Sequence, residues 1–73
     1  MEYVIRFSTK ESVEYREGPA RFDFWIGPFL DIPRVEDWDR VMPLPFRGRR
    51  NEILERLRAD SRLLGTPFRD VLV

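Results

Sequence analysis

The chain has 73 residues, of which 42% are hydrophobic and 14% aromatic, and its 13 basic and 13 acidic side chains leave no net charge. A chain of this length forms a single domain with a thin core, since it buries only about 60% of the surface that its unfolded form exposes. It contains neither Cys nor His, which excludes disulfides, zinc sites with sulfur or nitrogen ligands, and catalysis by a nucleophile that histidine activates. We therefore expect no cofactor, no metal, no small-molecule substrate and no enzymatic activity.

The N-terminal residues carry no recognisable targeting signal. Residues 1–17 lack the basic start and the apolar stretch of an export signal. The longest apolar run, residues 24–30, is well below the roughly 18 residues that a membrane-spanning helix needs. We expect a cytoplasmic protein that makes no contact with a membrane.

Alternating apolar and polar residues predict three strands in the first part of the chain, over about residues 2–8, 12–17 and 21–26. The polar segments "STKES" and "EGPA" separate these strands, and Gly18 can adopt the positive φ of a tight turn. Three short strands joined by tight turns indicate an antiparallel meander.

Residues 27–45 form a connector in which prolines limit regular structure. Proline cannot donate to a strand ladder, so the segment "FLDIP" is predicted to be a bend or a short edge strand. Residues 34–42 carry Val35 and Trp38 at near-helical spacing and predict one or two turns of helix. The following "MPLPF" is extended, because each proline disfavours helical backbone in the residue before it.

An apolar stripe that includes Ile53 and Leu57 predicts the main helix, over about residues 48–64. Gly65 stands where a C-cap glycine belongs, and a proline two residues later prevents the helix from continuing. Residues 67–73 are apolar on both faces near their end, which predicts a final strand in the interior of the sheet.

These elements indicate a single α+β domain over residues 1–73. A sheet with one apolar face and a helix with one apolar stripe bury both surfaces when they pack together. We expect a small two-layer sandwich in which an antiparallel sheet, in the chain order β-β-β-α-β, carries one main helix on one face. The other face of the sheet is then open, and it carries Arg21 and Trp25.

Charge is unevenly distributed: residues 1–39 carry five basic and nine acidic side chains, whereas residues 40–73 carry eight and four. The basic side chains gather before and along the main helix, at Arg47, Arg49, Arg50 and Arg58. Cations at the N-terminal end of a helix oppose its dipole, so this cluster predicts an acidic partner or nucleic acid. Interleaved acidic residues and zero net charge make nucleic acid the weaker alternative.

Two tryptophans and one arginine are the candidates for binding a protein. Trp25 alternates onto the open face beside Arg21, where a large aromatic side chain resembles the anchor of an interface. Trp38 lies in the connector. The alternative is that the connector covers Trp25 and that Trp38 completes the core.

Four acidic residues of the connector could in principle hold a divalent cation: Asp31, Glu36, Asp37 and Asp39. Their spacing is not that of an EF-hand loop, which needs oxygen ligands at alternating positions and a closing glutamate. We interpret them as solvated surface.

The order of Trp38, "MPLPF", an arginine-led helix and "GTPFRDVLV" over residues 20–73 resembles small immunity proteins of bacterial polymorphic toxin systems. The resemblance implies an inhibitor that binds a toxin, and it assigns no site residues. Our leading hypothesis is a non-enzymatic protein-binding domain, either a homodimer or an inhibitor of immunity type. The alternative hypothesis is a nucleic-acid-binding module that uses the arginine cluster.

Overall fold

A computed structural model describes residues 2–73. Its strands and helices are β1 (Val4–Thr9), β2 (Ser12–Glu17), β3 (Ala20–Trp25), β4 (Leu30–Pro33), α1 (Val35–Val41), α2 (Arg50–Ala59) and β5 (Phe68–Val71). Two short 3-10 turns, Leu44–Phe46 and Ser61–Leu63, precede and follow α2. The α+β fold class predicted from the sequence is confirmed.

The first three strands form an antiparallel sheet in the order β1-β2-β3, as the alternating pattern predicts. Tyr15 of β2 lies opposite Ile5 on one side and Phe22 on the other. Gly18, with φ of 57°, makes the tight turn between β2 and β3. β2 is the central strand, and it is buried on both faces.

The outer edge of β1 is irregular and partly covered. The register of β1 shifts between Phe7 and Thr9, which marks a bulge. Arg62 donates from Nη2 to the backbone oxygen of Ile5 at 2.8 Å, and its guanidinium lies 4.9 Å from the centre of the Phe7 ring. A bulge, and an arginine side chain bonded to the strand edge, both hinder the pairing of a further strand.

The final strand does not lie in the interior of the antiparallel sheet, and this part of the prediction is wrong. β5 pairs in parallel with β4, so that Leu30 lies opposite Phe68 in a separate two-stranded sheet. Parallel neighbours need a crossover connection, which α1 and α2 provide. An isolated bridge between Ile26 and Leu30 links the start of β4 to the end of β3.

The two helices fall where the sequence pattern places helical structure, but α2 is shorter than residues 48–64. It ends at Ala59, because Asp60 adopts extended backbone angles and accepts a hydrogen bond from the backbone N–H of Arg62. Aspartate competes with the helix for backbone donors in this way. Gly65, with φ of 82°, follows the 3-10 turn rather than α2 itself.

The core lies between the antiparallel sheet and the helices. It contains Val13, Tyr15 and Phe24 from the sheet, together with Ile53 and Leu57 from α2, all of them 1% exposed or less. Within residues 2–73, every helix is too short or too polar to cross a membrane.

Candidate functional site

Trp25 is the most exposed aromatic residue of the open sheet face. Odd-numbered residues of β3 point away from the core, whereas Phe24 is only 1% exposed, so alternation places the indole outside. Its side chain is 64% exposed, and the connector does not cover it. A tryptophan in this position is available to a second molecule.

A cleft of about 340 Å³ lies beside Trp25, between β3 and the end of the chain. Phe22 and Trp25 line one wall, and Pro33, Leu72 and Val73 line the other. Leu72 is 76% exposed and Val73 is 53% exposed. Together with Trp25 these two residues form the Trp25 cleft, a largely apolar surface that is open to solvent and that Asp23 and Asp31 also line.

Arg21 belongs to a charged cluster on the same open face. Glu14 of β2 is 2% exposed, and the guanidinium groups of Arg6, Arg16 and Arg21 lie 3.6, 3.7 and 3.4 Å from its carboxylate. Three arginines therefore meet one carboxylate and leave an excess of positive charge. Asp23 faces Glu14 across the β2–β3 ladder.

Trp38 is a core residue and lies outside the accessible surface. It is 2% exposed, and its ring stacks on Phe24 with the two centres 6.2 Å apart. The indole N–H donates to the backbone oxygen of Phe46 at 2.9 Å. This hydrogen bond holds α1 to the 3-10 turn before α2, so Trp38 positions the connector.

Arg49 meets an acidic group of its own chain. Its two terminal nitrogens donate to both carboxylate oxygens of Glu17, at 2.9 and 2.8 Å, and also to Glu52 at 2.7 Å. Arg56 donates to the same Glu17 at 3.1 Å, and the Tyr15 hydroxyl donates to it as well. The Glu17 side chain is only 1% exposed, so these donors replace its hydration.

This group of charges shifts the pKa values of its members, among them Glu17 and Tyr15. The hydrogen bonds from Arg49 hold the pKa of Glu17 below its ordinary value of 4.5, because they favour the ionised form. Burial, followed by the hydrogen bond to the Glu17 carboxylate, raises the pKa of Tyr15 to about 12. Glu17 is therefore an anion and Tyr15 a neutral donor at pH 7.

The other three arginines of the predicted cluster make separate contacts. Arg50 donates to Asp70 at 2.8 Å and to the backbone oxygen of Pro33, which ties α2 to the second sheet. Arg58 lies over the Phe68 ring, with 4.8 Å between the guanidinium carbon and the ring centre. Arg47 donates to a backbone oxygen and is otherwise exposed. Arg49 and Arg50 line one cleft together with Asp39 and Glu52, whereas Arg47 and Arg58 do not line it.

The acidic residues of the connector also have intramolecular partners. Asp37 accepts hydrogen bonds from Arg34 and Arg40 at 2.9 and 3.1 Å, and Asp31 accepts from Arg69. Over residues 2–73, no three acidic side chains converge in a way that could hold a metal ion.

Sequence reasoning missed Glu14, Glu17 and the C-terminal wall of the cleft. Glu17 continues the inward series of Val13 and Tyr15 at every second residue, and this alternation was the signal that could have placed it in the interior. For Leu72, no feature of the sequence distinguishes a residue exposed at the wall of a cleft from one buried in a sheet.

No known protein explains this site by similarity. The chain matches no protein family, no curated protein and no solved structure. The function must therefore be argued from the geometry of the chain itself.

Proposed function

We propose that the chain is a small non-enzymatic domain that binds protein through the Trp25 cleft. The observation that carries the proposal is the exposed indole of Trp25 beside Leu72 and Val73. Tryptophan is among the residues that contribute most to binding energy, and it does so in apolar pockets that a partner seals from water.

The surroundings of the cleft support the same proposal. Interfaces typically combine an apolar centre with a polar rim in which arginine is enriched. Here Arg21 and Asp23 stand on the open face next to Trp25 and can supply that rim. The sequence resemblance to immunity proteins suggests that the partner is a toxin, which this chain would inhibit by binding it.

Nucleic-acid binding remains an alternative prediction, with less support. Arg49 and Arg50 already pair with Glu17 and Asp70, and each such pair cancels a charge that would otherwise attract phosphate. Arg47 and Arg58 are the members of the cluster without a carboxylate partner within residues 2–73. Two arginines without carboxylate partners are a weak indication of nucleic-acid binding.

The test is capture of partner proteins by immobilised wild type and by Trp25→Ala, combined with light scattering of the purified proteins. We expect the Trp25→Ala variant to lose at least about tenfold in partner or self-association, as removal of an interface anchor does. Leu44→Ala is the matched control, because Leu44 is 73% exposed and does not line the cleft. Equal capture and equal mass for all three proteins would refute the proposal.

A further inference from the structure

The open face of the antiparallel sheet carries one arginine on each strand: Arg6 on β1, Arg16 on β2 and Arg21 on β3. The side chains of these open-face arginines are 63%, 43% and 62% exposed. Arg16 lies directly opposite Arg21 in the β2–β3 ladder. Like charges directly opposite each other on adjacent strands are destabilising, and a bound anion relieves their repulsion.

The open-face arginines find few acceptors within the protein. Arg6 and Arg16 approach Oε1 of Glu14 through Nε at 3.6 and 3.7 Å, which is beyond hydrogen-bonding distance. Within residues 2–73, the three guanidinium groups donate a single hydrogen bond, from Nη1 of Arg21 to Glu14 at 3.4 Å. The buried Nε of Arg16 and Oε1 of Glu14 have no hydrogen-bond partner in the same part of the chain.

Arg49 on the other side of the sheet shows what a satisfied arginine looks like in this protein. It donates to Glu17 at 2.8 and 2.9 Å, to Glu52 at 2.7 Å and to the backbone oxygen of Pro45 at 3.0 Å. A guanidinium group has five N–H donors. The open-face arginines therefore leave most of their donors available to an acceptor outside the chain.

Trp25 lies on the same face as Arg21, four residues further along β3, which corresponds to about 13 Å. Asp23 stands between the two and lies opposite Glu14 in the ladder. The open face therefore has a basic end at Arg16 and Arg21 and an apolar end at Trp25 and its cleft.

We propose that the open face binds a segment of a protein partner that carries an acidic and an apolar side chain about 13 Å apart. The carboxylate lies between Arg16 and Arg21, where it accepts hydrogen bonds from both guanidinium groups. The apolar side chain packs against Trp25 in the cleft. In an extended segment the two side chains are four residues apart. The inference rests on the proposed protein-binding role of the Trp25 cleft and names the chemistry of the partner.

The charges of the open face favour a carboxylate over nucleic acid. Glu14 and Asp23 share the face with the three arginines, which leaves an excess of one positive charge. A single carboxylate matches this excess. Duplex DNA carries a negative charge for about every 1.7 Å of its axis and needs an extended row of cations. Asp23 interrupts such a row, because its carboxylate repels phosphate.

Synthetic peptides without aromatic residues test the proposal, since fluorescence then comes from the protein alone. The probes are two acetylated and amidated peptides that differ in direction, Gly-Leu-Thr-Ser-Thr-Glu-Gly and Gly-Glu-Thr-Ser-Thr-Leu-Gly. A peptide that covers Trp25 shifts its emission to shorter wavelength, whereas Trp38 is buried already. We expect at least one probe to bind at low salt with a dissociation constant on the order of 1 mM or below.

Two kinds of control isolate the carboxylate. Glutamine in place of glutamate removes the charge of the probe, and we expect binding to weaken by about threefold or more. Arg16→Gln and Arg21→Gln should each weaken the glutamate peptide by a similar factor and leave the glutamine peptide unchanged. Arg47→Gln is the matched control, because Arg47 is exposed and lies outside the sheet. Circular dichroism reports whether each variant folds, and the comparison of peptides on wild type depends on no variant.

The outcomes separate this inference from the proposed function. Equal binding of the glutamate and glutamine peptides, or no binding of either glutamate probe up to about 10 mM, overturns the acidic partner. A single-stranded oligonucleotide that binds more tightly than the probes, and that Arg16→Gln releases, overturns it in favour of nucleic acid. If capture of a partner still depends on Trp25 after any of these results, the binding role of the cleft stands without the acidic partner. Loss of both kinds of binding overturns both proposals.

Discussion

Replacing Arg49 with Met should destabilise the protein by about 3 kcal/mol. Arg49 supplies two of the hydrogen bonds to the Glu17 carboxylate, which is only 1% exposed. Removing one partner of a buried ion pair costs about 3–5 kcal/mol, because the other charge is left unpaired. Arg56 and the Tyr15 hydroxyl remain as donors to Glu17, so the lower end of that range applies.

Urea unfolding followed by tryptophan fluorescence measures this change, since Trp38 passes from the core to water while Trp25 is already exposed. A domain of this size has a total stability of roughly 5 kcal/mol, and with a slope of about 1 kcal/mol per molar urea the midpoint should fall by about 3 M. The matched control is Arg47→Met, which removes an exposed arginine that bonds to one backbone oxygen. We expect that variant to stay within about 1 kcal/mol of wild type.

The dependence of this effect on pH identifies its cause. Arg49 holds the folded-state pKa of Glu17 below 4.5, so the stabilisation is present above that pH and is lost as pH falls through the lowered value. The gap between wild type and Arg49→Met should therefore narrow in acid. A gap that is constant from pH 7 to acid, or equal losses from Arg49→Met and Arg47→Met, would refute the reasoning.

Three further predictions concern single residues. Burial raises the pKa of Tyr15 to about 12, so the stability that its neutral form contributes should be lost between pH 10 and pH 12. Ultraviolet titration of the Tyr15 phenol in the folded protein should show no ionisation near pH 10. Trp38→Phe removes the donor to Phe46 and should cost about 2 kcal/mol in urea unfolding followed by circular dichroism; a loss below about 0.5 kcal/mol contradicts this. Gly48→Ala should cost about 1 kcal/mol because φ is 73°, whereas Gly27→Ala, without a positive φ, should cost less; equal costs contradict the assignment.

The antiparallel sheet was predictable because its residues alternate in polarity. Each of its three strands has six residues, which is long enough for a period of two to be visible. Alternation also placed Trp25 on the open face correctly. A local pattern is sufficient here because neighbouring strands joined by tight turns pair with one another.

The second sheet depends on contacts that no local pattern records. β4 and β5 have four residues each, and 34 residues separate the end of one from the start of the other. Whether β5 joins the meander or pairs with β4 is decided by the path of α1 and α2 between them. Apolar residues near the chain end were therefore assigned to the interior of the wrong sheet.

The arginine cluster shows a similar limit. The sequence indicates that Arg49 stands at an unfavourable end of a helix dipole and needs an acidic partner. It does not indicate that Glu17, 32 residues away, is that partner. Charge complementarity between distant segments becomes visible only when the fold brings them together.

The two outer edges of the antiparallel sheet are obstructed by different parts of the same chain. The bulge at Phe7 and the guanidinium of Arg62 obstruct the β1 edge. At the β3 edge, the antiparallel bridge between Ile26 and Leu30 turns β4 back beside the end of β3, and Asp31 and Val73 line the other side of the cleft. A sheet with two open edges can extend by pairing with further molecules, and an obstruction at each edge hinders this. The contacts of Arg62 thus serve the sheet at one edge as the return of β4 serves it at the other.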